Sequence, residues 1–256
     1  MPCGKEIGPT QRRLTALSNA NVVEWFGGWR PCIGLDEVMF VLKAAQASSD
    51  YFNAQVVIQV AKVRTDLPEA PALKGSLQTP TSGKFEYNTG VLDVSGDTAG
   101  MMFIRFGVAY KYTTGQSQSS ADVTLDVAYT QCGDMVGSSS HQLSTTTVED
   151  QYVAITGWLT GILAAEVKAA FVCNSLTGYF RYRLAYRTAA TSQEAPSAWT
   201  AVTDTNTPYT AGEVNTGDLP VTLGSNMWIQ FAILYDLSEA GTGQASVSVA
   251  IGVRRS

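Results

Sequence analysis

The chain has 256 residues, 45% of them hydrophobic and only 15% charged, with a formal net charge of -5. Nucleic-acid affinity rests on clustered Lys and Arg that neutralise phosphates, so this acidic balance argues against a DNA or RNA partner. No apolar run reaches the roughly 18 residues of a membrane-spanning helix. The first residues, Met1-Pro2-Cys3-Gly4-Lys5-Glu6, lack the apolar stretch of a secretory signal, so a soluble protein that is not exported by that route is expected.

Along the chain, Pro9 to Trp29 combines Arg12 and Arg13 with Leu14, Leu17, Val22, Val23, Trp25 and Phe26. Residues 1–27 read as a short amphipathic N-terminal arm with two open roles. One is docking on another subunit through Arg12, Arg13, Leu14, Leu17, Trp25 and Phe26; the other is capping the core of the domain that follows.

Leu35 to Ala47 is ambiguous between helix and strand. Strands are expected over Asn53 to Val63, Phe85 to Val94, Met101 to Tyr112 and Asp122 to Tyr129. Residues 133–156 are rich in Ser and Thr and read as a polar linker. Helical spacing returns over Leu159 to Phe171, where a strand is equally compatible. Tyr179 to Arg187 alternates Phe180, Tyr182, Leu184 and Tyr186 against Arg181, Arg183, Ala185 and Arg187, the period of a half-buried strand. A loop with Pro196 separates it from a strand near Trp199. Asn215-Thr216-Gly217-Asp218 reads as a turn before Leu219 to Leu223. Met227 to Tyr235 is apolar on both faces, as a central strand should be, and Gly241 to Gly243 turns into a final strand over Ala245 to Arg254, resembling a hairpin.

Several of these segments recur. Gly28-Trp29 with Glu37-Val38 matches Gly157-Trp158 with Glu166-Val167 at an offset of 129 positions. Tyr51-Phe52 matches Tyr179-Phe180, Glu86-Tyr87-Asn88-Thr89-Gly90 matches Glu213-Val214-Asn215-Thr216-Gly217, Met102 to Tyr110 matches Met227 to Tyr235, and Ala121 to Val127 matches Ala245 to Ile251. The order is kept while the offset drifts to 124, as small loop insertions would make it. Alternation alone would not reproduce the Gly-Trp and Asn-Thr-Gly landmarks. The expected fold is all-β: two tandem, duplicated β-sandwich domains, jelly-roll-like or Ig-like, with copies at 28–132 and 157–256.

No catalytic constellation stands out. The single histidine, His141, falls in the polar linker, which disfavours a Ser-His-Asp triad and excludes sites of two or more histidines. Asp93-Val94-Ser95-Gly96-Asp97 has the outline of half a calcium loop, yet its counterpart lacks the second acid, so a turn is preferred. Cys3, Cys32, Cys132 and Cys173 form no C-x-x-C pair and read as buried or free thiols, with pairing of Cys3 to Cys32 or between subunits left open. No cofactor or metal is expected. Trp29, Trp158 and Trp228 sit at repeat-matched positions beside apolar residues and are assigned to the core; Trp199 lacks an aromatic counterpart and is the candidate surface aromatic.

This Thr, Ser, Gly and Ala-rich tandem sandwich, with its unrepeated arm and no catalytic cluster, resembles accessory virion proteins of tailed bacteriophages: capsid decoration, head-fibre or tail components. The resemblance implies a structural role in the virion, with a homo-oligomer or other virion proteins as partners. The alternative is a carbohydrate- or cell-surface-binding module, extracellular, with a glycan as ligand.

Overall fold

The structure is a computed structural model that describes residues 4–45, 52–62, 68–79, 84–113, 118–131, 133–160, 164–190, 196–201, 212–220 and 228–255. The chain divides into two units, 1–131 and 132–256.

In unit 1 the strands are β1 (Gly4–Ala16), β2 (Val22–Trp25), β3 (Arg30–Pro31), β4 (Leu35–Ala45), β5 (Phe52–Ala61), β6 (Ala72–Gln78), β7 (Lys84–Asp93), β8 (Phe103–Tyr112) and β9 (Ser119–Gln131), with one helical turn, α1 (Ser95–Thr98), before β8. One sheet runs β1-β9-β4-β7 and the other β2-β8-β5-β6, with β3 also on β8. All pairings are antiparallel. Two packed sheets in this interleaved order are a jelly roll, which decides between the two sandwich types expected.

Side-chain alternation drives the packing. Strand β9 alternates buried and half-buried residues along its whole length, with Ala121, Val123, Leu125, Val127 and Tyr129 inward and Asp122, Thr124, Asp126, Ala128 and Thr130 outward. Across the sandwich, Phe40 of β4 meets Phe106 of β8 edge-on at 5.7 Å between ring centroids, and Phe106 meets Tyr129 at 5.8 Å. Truncating such a buried ring costs about 3–5 kcal/mol, so these three rings tie the two sheets together.

In unit 2 the strands are β10 (Gly133–Thr145), β11 (Gln151–Ala154), β12 (Leu159–Thr160), β13 (Ala164–Thr177), β14 (Phe180–Ala189), β15 (Thr200–Ala201), β16 (Gly212–Pro220), β17 (Trp228–Leu237) and β18 (Gly243–Arg255). Its sheets run β10-β18-β13-β16 and β11-β17-β14-β15, with β12 also on β17. This is the unit 1 order with every strand advanced by nine. Tyr182, Leu184, Phe180, Ile229, Phe231 and Ile233 fill its core with Val247, Val249 and Ile251 of the facing sheet.

Several expectations are corrected. Residues 4–16 and 22–25 are not an arm outside the repeat but β1 and β2, and residues 133–156 are not a linker but contain β10 and β11. An outermost strand needs only one inward row, so sparse apolar residues among Ser, Thr and charge suffice: Leu14 and Ala16 in β1, Leu143 and Val136 in β10. The signal was present as Gly4, Ile7, Gly8 and Leu14 against Gly133, Val136, Gly137 and Leu143, all at the offset of the Gly-Trp landmark. The described residues of the segments with helical spacing form strands β4, β12 and β13. Strands β17 and β18 lie in different sheets, so the turn between them is not a hairpin.

The Asn-Thr-Gly landmark is also explained. Asn215 to Asp218 lies inside β16 rather than in a turn, and Asn88 to Gly90 inside β7, and the ladder slips beside each. In β7 this is a β-bulge: Gly90 has φ +66°, and its N–H donates to Asn88 Oδ1 at 2.8 Å.

Candidate interaction surface

The central strands β5 and β8 bring Gln59 and Arg105 side by side on the outer face of their sheet. Arg105 donates from Nε (2.9 Å) and Nη2 (2.5 Å) to Gln59 Oε1, while Gln59 Nε2 donates to the Glu69 carbonyl at 2.7 Å. Both ends of the Gln59 amide are thus engaged. The guanidinium carbon lies 4.1 Å from the ring centre of Trp25 and 4.5 Å from that of Trp29. Such contacts contribute roughly 0.5–2 kcal/mol each, more as water is excluded. Burial pushes the Arg105 pKa down, and the group stays a cation at any ordinary pH.

Room for Trp25 comes from the residue opposite it, Gly107. A Cβ at Gly107 would lie 2.6 Å from the Glu24 carbonyl oxygen and 2.7 Å from Trp25 Cε3. The indole therefore rests on bare backbone, and Trp25, Arg105 and Trp29 form a plate on the sheet.

Unit 2 builds the same plate with the partners exchanged. Gln230 of β17 and Arg187 of β14 are cross-strand neighbours at the corresponding place. Arg187 Nε donates to Gln230 Oε1 at 2.9 Å, and Gln230 Nε2 to the Thr156 carbonyl at 3.1 Å. Trp158, the counterpart of Trp29, lies 5.3 Å from the Arg187 guanidinium carbon and Trp199 lies 4.5 Å from it. Where unit 1 sets Trp25 against Gly107, unit 2 sets Ala154 against Ala232. Its second tryptophan arrives instead from the segment entering β15, and Tyr152 packs against it at 5.3 Å.

The outer face of β14 continues in two charged pairs. Arg181 holds Asp236 through two bonds of 2.6 and 2.7 Å, with Asp236 buried at 5% exposure, and Arg183 holds Asp150 at 2.6 and 2.7 Å. The forked pair of Arg181 with Asp236, through Nε and Nη2, fixes side-chain geometry as well as adding energy, whereas Arg183 reaches both Asp150 oxygens from Nη2 alone.

The expected contact residues of the arm divide. Leu14 and Phe26 are buried in the core of unit 1. Arg12 pairs with Glu24 and lies over the Phe26 ring, and Arg13 bonds Asp122 at 3.1 Å and Ser120 at 2.8 Å. Trp25 belongs to the plate, Leu17 is 69% exposed, and the side chains of Arg12 and Arg13 are exposed as well. Leu14 and Phe26 thus serve the core of the arm's own unit. Trp29, Trp158 and Trp228 are half-buried rather than in the core, and Trp199 is a member of the second plate. Sequence reading missed Gln59, Arg105, Arg187 and Gln230 altogether, because none belongs to a recognisable motif.

Elsewhere, His141 Nε2 and the Ser139 hydroxyl are 2.6 Å apart on β10, and no carboxylate meets the other ring nitrogen among the described residues. Asp93 accepts bonds from the Ser95 N–H and hydroxyl, at 2.8 and 2.6 Å, and Asp97 pairs with Lys74 at 2.5 Å, so this segment is a helical turn with its acids engaged. Among the described residues no group of three His, Cys, Asp or Glu side chains converges as a metal site would require. Cys32 and Cys173 are buried, with thiols donating to the carbonyls of Met101 and Ser175 at 3.3 Å each. Cys3 and Cys132 lie outside the described residues.

No family model and no curated protein matches the chain. Among solved structures it is similar to the PBSX exported protein XepA, at 8% identity and TM-score 0.29 over 96% of this chain and 86% of that one. It is similar to the infectious bursal disease virus Gt strain at 10% identity and TM-score 0.35, over 98% and 72%. It is also similar to PNGase F, a glycosylasparaginase from Flavobacterium meningosepticum, at 8% identity and TM-score 0.25, over 96% of each. The jelly-roll assignment stands on this chain's own strand order.

Proposed function

We propose that this is a non-enzymatic virion structural protein, a capsid decoration or other head or tail accessory component, built as a tandem duplication and working through protein–protein contacts on the outer faces of its Trp-Arg plates. The observation that supports the reading is that the plate occurs twice while its Arg and Gln have changed strands. What is common to the two units is the surface, an Arg flanked by two indoles, rather than any single residue. Trp and Arg are the side chains most enriched in interface hot spots, and rigid stacking lowers the ordering cost of binding. The virion setting draws on the resemblance in composition and architecture, and jelly rolls serve both as capsid and as lectin domains.

Antibody raised against the protein should label intact particles purified from its source in immunoelectron microscopy. Unlabelled particles would remove the virion setting. A second reading, glycan binding, is favoured by one feature: the Tyr152 ring, 56% exposed, beside Trp199. Binding on a glycan array that disappears in Trp199→Ala would select that reading over the first.

A further inference from the structure

Among the described residues, each sheet of this protein ends in strands laddered to a neighbour on one side only, and such edges recruit other strands unless charge, proline, bulges or brevity prevent it. Most edges here are protected. Among the described residues, strands β2, β3, β11, β12 and β15 span two to four residues each. Strand β6 is interrupted by Gly75 at φ +63° and by a register slip against β5. Strand β7 carries Lys84, Glu86 and Asp93, and β16 carries Glu213, Asp218 and Pro220.

The informative comparison is between β1 and β10, the same edge of the two units. Strand β1 contains Lys5, Glu6, Pro9, Arg12 and Arg13, and both arginines are pinned by acids of their own unit. At the places of Pro9, Arg12 and Arg13, strand β10 has Ser138, His141 and Gln142. Its 13 residues carry one charged side chain at neutral pH, Asp134 near one end. Its contacts across to β18 are neutral, Ser140 with Ser248 at 2.8 Å and Gln142 to Ser246 at 2.9 Å. The bulge near Val136 is the one device that remains, and it lies toward the Asp134 end.

We infer that β10 is the edge through which two copies of this chain join, antiparallel about a two-fold axis, so that the sheet β10-β18-β13-β16 continues into that of the second copy. Self-pairing suits this strand because an antiparallel match centred on Ser139 sets Asp134 opposite Ser144, keeping the two carboxylates at opposite ends. The main-chain bonds supply affinity as in other strand additions, and the closed two-fold symmetry stops growth at the dimer. This inference is independent of the Trp-Arg plates.

The test is solution mass by sedimentation equilibrium over a concentration series. Wild type should reach twice the 27.4 kDa chain mass. The double variant His141→Arg with Gln142→Arg, which restores the pair found in β1, should be monomeric with an unchanged far-ultraviolet circular dichroism spectrum. Should that variant not fold, Ser140→Lys with Ser144→Lys, both at exposed positions, replaces it with the same expectation. A monomeric wild type, a mass above the dimer, or a folded variant that stays dimeric each overturns the inference.

Discussion

Replacing Gly107 by Ala tests how the first plate is held. The backbone at Gly107 does not require glycine by its φ, so the penalty is steric alone. The added methyl would lie 2.6 Å from the Glu24 carbonyl oxygen and 2.7 Å from Trp25 Cε3, both inside normal contact. Overpacking of this degree costs roughly 1–3 kcal/mol. Strand β2 must move off β8 or Trp25 must lift from Arg105, and the stack at 4.1 Å is lost in the second case. Trp25→Ala alone removes a cation–π contact of about 0.5–2 kcal/mol together with its buried area. If the indole is the group that yields, the double variant should cost less than the sum of the singles, with a coupling of about 0.5–2 kcal/mol. Urea unfolding followed by circular dichroism, with the transition of unit 1 assigned from the isolated variants, measures all four corners of the cycle. Costs that add within error would refute relief through the indole and leave the movement of strand β2 off β8 as the response.

Other perturbations reach different parts of the molecule. Asp236→Ala leaves Arg181 without its carboxylate on the outer face of unit 2. Because the Asp236 side chain is 6% exposed while the Arg181 side chain is 21% exposed, a loss of about 2–3 kcal/mol is expected, below that of a fully buried pair; a thermal melt lowered by less than a degree would contradict this. The Ser95 hydroxyl and N–H hold the Asp93 carboxyl below its ordinary value of 3.8. Its stabilising effect is therefore complete above that value and lost as pH falls through the lower native one, so Asp93→Asn should flatten the stability profile only below about pH 4. Burial pushes the Cys173 thiol up, so its alkylation at neutral pH should be slow and accelerate in urea; a rate equal to that of a free thiol would refute its burial.

Much of the fold was legible before any coordinates. The strict alternation of Ala121 to Val127 and of Ala245 to Ile251 requires strands with one buried face, and the Gly-Trp and Asn-Thr-Gly landmarks in constant order require the same layout twice. The lone histidine excluded metal sites of two or more histidines by count. The outer strands were misread because β1 and β10 bury a single sparse row, and a strand with so few apolar residues is locally indistinguishable from an arm or a linker. Whether the two units were jelly rolls depended on which strands pair, and pairing joins residues more than 100 positions apart, such as Arg13 with Asp122. The plates depended on more still. Gln59 and Arg105 become neighbours only through the β5–β8 register, and Trp25 reaches them only because Gly107 lies beneath it. Periodicity specifies that a side chain faces outward; only the packed sheets specify which other side chains it finds there, because that choice is made by register and backbone clearance across strands distant in the chain.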